Sequence, residues 1–107
     1  MTDFLNWREH VGSQPEKFFK TTLWQGAHFT LGLNCLEPGQ IQKVHAHDGA
    51  DKIYYVLEGE GDFIIGDEQR AANEGMVIVA PAGIPHGVSN NGQARLSLLV
   101  TISPPIK

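Results

Sequence analysis

Between Phe18 and the C-terminal region, short apolar runs alternate with turn-forming residues at intervals of eight to twelve positions. The runs Phe18–Trp24, His28–Leu36, Ile41–His47, Ile53–Leu57, Asp62–Ile65, Met76–Ala80, Gly87–Ser89 and Ala94–Ile102 are rich in β-branched, aromatic and aliphatic residues. Each reads as a strand. The separators, among them Pro38-Gly39, Asp48-Gly49, Gly66-Asp67 and Asn73–Gly75, carry turn chemistry. Eight short strands with this punctuation predict an all-β sandwich or closed barrel spanning residues 18–107. Residues 1–17 differ in texture. Phe4, Leu5 and Trp7 sit among polar residues, and Thr2 or Asp3 could cap a short helix that Gly12–Pro15 ends. This segment is expected to be an N-terminal helical arm lying across a single domain.

Composition narrows the function. Acidic residues outnumber lysine and arginine by 12 to 8, for a formal net charge of −4, and the basic residues are scattered. A nucleic-acid binder needs a basic stripe to displace counterions, so no nucleic-acid partner is expected. The same argument disfavours an anionic membrane surface. The opening segment lacks a long apolar core, and no run approaches the length of a bilayer span, so a cytoplasmic protein is the expectation. Cys35 is the single cysteine and forms no intrachain disulfide. It reads as a small buried hydrophobe. Gly59-Glu-Gly61 superficially suggests a nucleotide loop, but no helix follows it.

The candidate chemistry lies in the histidines. His45 and His47 alternate on a predicted strand, which puts both imidazoles on one face about 7 Å apart along the chain. Two neutral nitrogens so placed can converge on one ion. His86 follows Pro81-Ala82-Gly83-Ile84-Pro85, a stiff loop able to aim a third imidazole at the pair.

Two segments give these residues a frame. Gly39-Gln-Ile-Gln-Lys-Val-His45-Ala-His47, continuing to Gly59, resembles the first motif of the cupin superfamily. Gly75-Met-Val-Ile-Val-Ala-Pro81-Ala-Gly83-Ile-Pro-His86-Gly-Val-Ser-Asn90 resembles the second at every fixed position. The resemblance implies a jelly-roll barrel, the double-stranded β-helix. It also implies one divalent metal (iron, manganese, nickel, copper or zinc) held by His45, His47 and His86. A small-molecule ligand or substrate would bind beside it. Small cupins of this kind include dioxygenases and isomerase- or lyase-like enzymes as well as non-catalytic sensing and storage barrels. They often form homodimers, and Phe18, Phe19, Leu23 and Trp24, with Trp7 nearby, could supply an apolar dimer face.

The first motif departs from the family at its acidic ligand. Counting forward from His47 places Asp51 there; counting back from Gly59 places Lys52. A one-residue shift reverses facing along a strand, and a bulge before Ile53 could reconcile the two frames. Three arrangements stay open. Asp51 supplies an oxygen as fourth ligand, the histidines act alone with positions left for water or substrate, or Lys52 points inward and replaces the ion's charge. In one frame Lys52, Tyr54 and Val56 face the ligands; in the other Asp51, Ile53, Tyr55 and Leu57 do. Phe63 and Ile65, or Ile64 between them, with Met76, Ile78, Leu96, Leu98 and Val100, could complete mostly apolar walls, but core packing is the expected role of these residues.

Overall fold

The computed structural model describes residues 3–105. Two antiparallel sheets face each other. The strands are β1 (Phe19–Gln25), β2 (Thr30–Leu36), β3 (Ile41–His45), β4 (Asp51–Glu58), β5 (Glu60–Ile65), β6 (Glu68–Asn73), β7 (Val77–Ala80), β8 (His86–Ser89) and β9 (Leu96–Ser103). One sheet has the order β1-β2-β9-β4-β7 and the other β3-β8-β5-β6. The arrangement is a jelly-roll sandwich, in which strands far apart in sequence lie side by side.

Period-two burial drives the packing. Along β4 exposed and buried positions alternate from Asp51 to Val56, so Lys52, Tyr54 and Val56 face inward while Ile53 and Tyr55 face out. Tyr54, Val56, Leu36, Leu96, Leu98 and Val100 from the five-stranded sheet meet Phe63, Val88 and Ala72 from the other. Fully burying a leucine-sized side chain contributes roughly 1.5–3 kcal/mol, so this cluster is the main cohesive element. Phe18, Ile78 and Ile102 pack at its margin.

One strand has no apolar signature. β6, Glu-Gln-Arg-Ala-Ala-Asn, buries only Ala72, and pairing with β5 from Glu60↔Asn73 to Ile65↔Glu68 holds it in place. The Gly66-Asp67 turn makes that hairpin. Gly66 has φ +60°, the left-handed value that the first residue of a tight hairpin turn requires. Pattern alone does not assign this segment, because its register comes from the turn and its partner.

The N-terminal helical arm is not formed. Trp7–Glu9 makes a single 3-10 turn, in which the Asn6 side chain accepts from the Arg8 N–H and the His10 N–H closes on the Trp7 carbonyl. Phe4 and Leu5 are exposed, so a second turn would gain little of the burial that short helices need in water. Thr2, one of the two candidate caps, lies outside the described residues. The remainder of the segment runs along the sandwich, where Gln40 Nε2 donates to the carbonyls of Gln14 (2.6 Å) and Lys17 (3.1 Å). Phe18, Phe19, Leu23 and Trp24 are half-buried within the single chain. Ile53 and Tyr55 on β4 and Val77 and Val79 on β7 are more exposed. Among the described residues no helix is long and apolar enough to cross a membrane.

Candidate metal centre

The site forms where β3 ends and β8 begins. His45, the last residue of β3, is the Cα partner of His86, the first residue of β8. The ladder is irregular between Gln42 and His45, and His47 lies past the strand rather than within it. The third imidazole therefore reaches the cluster from a loop, not by strand alternation. That loop is tied to the proline-rich turn: the Gly83 N–H donates to the His47 carbonyl at 2.9 Å.

The three rings crowd together. Centroids lie 4.7 Å apart for His45–His47, 4.4 Å for His45–His86 and 5.5 Å for His47–His86. One potential ligand atom from each lies within 4.8 Å of the others. His45 Nδ1 is 2.7 Å from the Lys43 carbonyl and His86 Nδ1 is 3.0 Å from that of Ile84. A carbonyl only accepts, so both Nδ1 atoms carry the proton and both Nε2 atoms present a lone pair. His45 Nε2 sits 3.1 Å from His47 Nε2. Two ligands at ~2.1 Å from an ion and at right angles to each other are about 3.0 Å apart. His86 Nε2 is buried and has no hydrogen-bond partner among the described residues. A buried lone pair without a donor is costly unless something outside the protein engages it. The residues present therefore fit a divalent cation.

Burial keeps His47 and His86 in the ligand form. Burial holds the pKa of His47 below the ordinary imidazole value, helped by the charges of His45, Lys52 and Lys20. Burial also lowers that of His86, against the opposing bond to Ile84 and with Lys52, His45 and His47 adding to the effect. Both are neutral near pH 7.

The residue at the family's acidic position is Lys52. It faces inward, only 3% exposed, with Nζ 3.4 Å from Gln42 Oε1 and 4.7 Å from the centre of the Tyr54 ring. Burial, then Lys20, lowers its pKa to about 8. The Tyr54 hydroxyl donates to the same Gln42 oxygen, and burial drives its pKa well above the usual phenol range. Asp51 points the other way and is not brought to the histidines: its carboxylate accepts from the Ala82 N–H at 2.8 Å. No bulge precedes Ile53, for Asp51 to Val56 pair without interruption with Ser103 to Leu98 of β9. The Asp48–Ala50 turn absorbs the extra residue instead, which is why the two counting frames disagree.

Beside the histidines opens a cavity of about 390 Å³ that His45 and His47 help to line. Its walls are more polar than the sequence suggests. Thr30, Gly32 and Asn34 come from β2, Lys20, Thr21 and Thr22 from β1, and Gln42 from β3; Val100 and Ile102 supply the apolar part. Leu96, Leu98 and Phe63 belong to the core, as expected. Met76 and Ile78 line a separate cleft with Phe63 and Ile65. The available signal was the alternation in β2, where small or polar residues at 30, 32 and 34 interleave with Leu31, Leu33 and Cys35.

The family model for the cupin domain matches residues 32–102, and the chain belongs to that family. The crystal structure of TT1209 from Thermus thermophilus superposes with a TM-score of 0.94 at 39% identity, covering 98% of this chain and 100% of that one. Among curated relatives, the uncharacterized protein YrkC of Bacillus subtilis is 32% identical over 93 residues. That alignment takes in 81% of this chain but 50% of YrkC, so this chain spans about half of that relative's length. An oxalate-binding protein of Thermotoga maritima is 34% identical over 67 residues, covering 63% of this chain and 55% of its own length.

Proposed function

We propose that the protein holds one divalent metal ion through His45, His47 and His86 and binds a small organic molecule beside it in the polar cavity. The carrying observation is the buried His86 Nε2, which has no partner among the described residues and lies in a cluster whose three potential ligand atoms are within 4.8 Å of one another. Lys52 does not fill that role, because its ammonium is directed at Gln42 Oε1. Three protein ligands leave positions open for a ligand, as catalytic rather than purely structural metal sites do.

A bound ion would supply Lewis acidity or, as iron(II), a partner for oxygen chemistry. The chain's own groups orient the ligand. Thr30, Asn34 and Gln42 offer hydrogen bonds, Val100 and Ile102 offer an apolar wall, and Lys52 offers a cation. Turnover of the dioxygenase or isomerase kind is one outcome. Binding without turnover is the second reading, favoured by the relative named as oxalate-binding. Oxygen uptake by iron-loaded protein over a panel of thiols, diketones and phenols separates them. Uptake dependent on one member of the panel, and abolished in His47→Ala, supports the dioxygenase; thermal stabilisation by a ligand without consumption of ligand or oxygen supports the binding module.

A further inference from the structure

We propose that the cavity selects a small organic anion of the carboxylate class, and that Lys52, with Lys20 on β1, is the specificity-determining pair. The proposal rests on the metal reading above only for where one end of the anion sits; the lysines act with or without an ion.

The first observation is the charge of the wall. The chain as a whole is acidic, with 12 carboxylates against 8 lysines and arginines. Yet the residues lining this cavity include Lys20 and Lys52 and not one aspartate or glutamate. A cleft lined by one sign of charge between low-dielectric walls concentrates ligands of the opposite sign. Histidine ligands carry no negative charge, so nothing lining the cavity would offset the charge of a bound dication.

The second observation is that Lys52 is buried without an ionic partner among the described residues. It is 3% exposed, and its one hydrogen bond, to Gln42 Oε1, is long at 3.4 Å. Lysines this deep are nearly always paired. The fold keeps Lys52 inward at the position where the family motif has a glutamate, so an acidic ligand of the metal is exchanged for a cation facing the cavity. Thr30, also on the wall, has a buried hydroxyl with no partner. The Thr30 hydroxyl lacks an acceptor altogether among the described residues, and Lys52 has donors to spare beyond its long bond to Gln42.

The third observation separates carboxylate from phosphate. The lining holds no arginine and no turn of successive backbone N–H groups, the usual means of gripping phosphate oxygens. Two separated ammonium groups with threonine and amide side chains, beside the methyl groups of Val100 and Ile102, suit a compact carboxylate with a short carbon skeleton.

Calorimetry with oxalate, its neutral isostere oxamide and inorganic phosphate tests this on the full chain, with nickel(II) loaded and, separately, metal-free. Metal content is measured for every sample. The expected result is binding of oxalate at least tenfold tighter than oxamide or phosphate. Lys52→Met should lower oxalate affinity at least tenfold at unchanged metal content, Lys20→Met by a smaller factor, and Lys52→Arg should restore most of it. Equal affinity for oxalate and oxamide, tighter binding of phosphate, or unchanged oxalate affinity in both methionine variants would overturn the proposal. If the wild type takes up no metal, the metal reading fails, and the same comparisons on metal-free protein still decide the anion claim. If Lys52→Met does not fold, Lys20→Met and the ligand ranking decide it.

Discussion

His45 and His47 bring their Nε2 atoms to 3.1 Å of each other although only His45 belongs to a strand. Two residues on one face of a regular strand project in parallel about 7 Å apart. Here the ladder breaks after Gln42, and the Gly83 N–H draws the His47 backbone toward the loop that carries His86. The two cupin motifs thus meet through a backbone hydrogen bond as well as through imidazoles.

The Asp51 carboxylate holds the Ala82 N–H, so its contribution is to the shape of the Pro81–Pro85 loop. Asp51→Ala should lower stability by about 1 kcal/mol, the net worth of a solvent-accessible charge-assisted hydrogen bond. Metal stoichiometry should stay as in the wild type. Chemical denaturation with metal analysis on the same preparation checks both; loss of the ion would make Asp51 a ligand.

Gly59 joins β4 to β5 with φ +83°, and a Cβ there would run into the backbone carbonyl of Arg95. Gly75 has a similar φ, +91°, but open space around the missing Cβ. Gly75→Ala should therefore cost only the left-handed backbone term, about 1 kcal/mol, whereas Gly59→Ala adds a collision with rigid backbone, for about 2–4 kcal/mol in all. Urea titrations of the two variants give the comparison.

Lys52 sets a pH dependence. Its pKa is about 8 in the folded chain against an ordinary 10.5, a depression worth roughly 3 kcal/mol. Between those values the unfolded chain holds the proton more tightly, so protonation favours unfolding. The destabilisation is complete below pH 8 and is relieved as pH rises through 8 toward 10.5. In metal-free protein the wild type should gain stability over that range relative to Lys52→Met, and the variant should be the more stable of the two at pH 7. Denaturation at pH 7 and pH 10 tests the sign.

Much of this was legible in the sequence, for reasons that differ by residue. The apolar alternation in β2 and β9 has a period that only strands satisfy, and motif spacing singled out His86 because Pro81 and Pro85 stiffen the loop before it. The Asp51–Lys52 ambiguity came from counting across a turn whose length is free; the strand itself, counted back from Gly59, had one answer. β6 was illegible because Glu68–Asn73 draws its conformation from β5 rather than from its own side chains. The expected helix failed because capping at Asn6 starts a turn but burial must extend it. The polar cavity wall was missed because Thr30 and Asn34 read as interruptions in an apolar strand, not as the face of a pocket.

Elemental analysis of untagged protein beside His86→Ala decides whether the three imidazoles form a metal centre. About one equivalent of a divalent transition metal per chain is expected in the wild type, and its loss from the variant, with folding preserved by circular dichroism. A metal-free wild type that refuses nickel(II) or zinc(II) on addition, or a His86→Ala variant that retains a full equivalent, would rule that centre out.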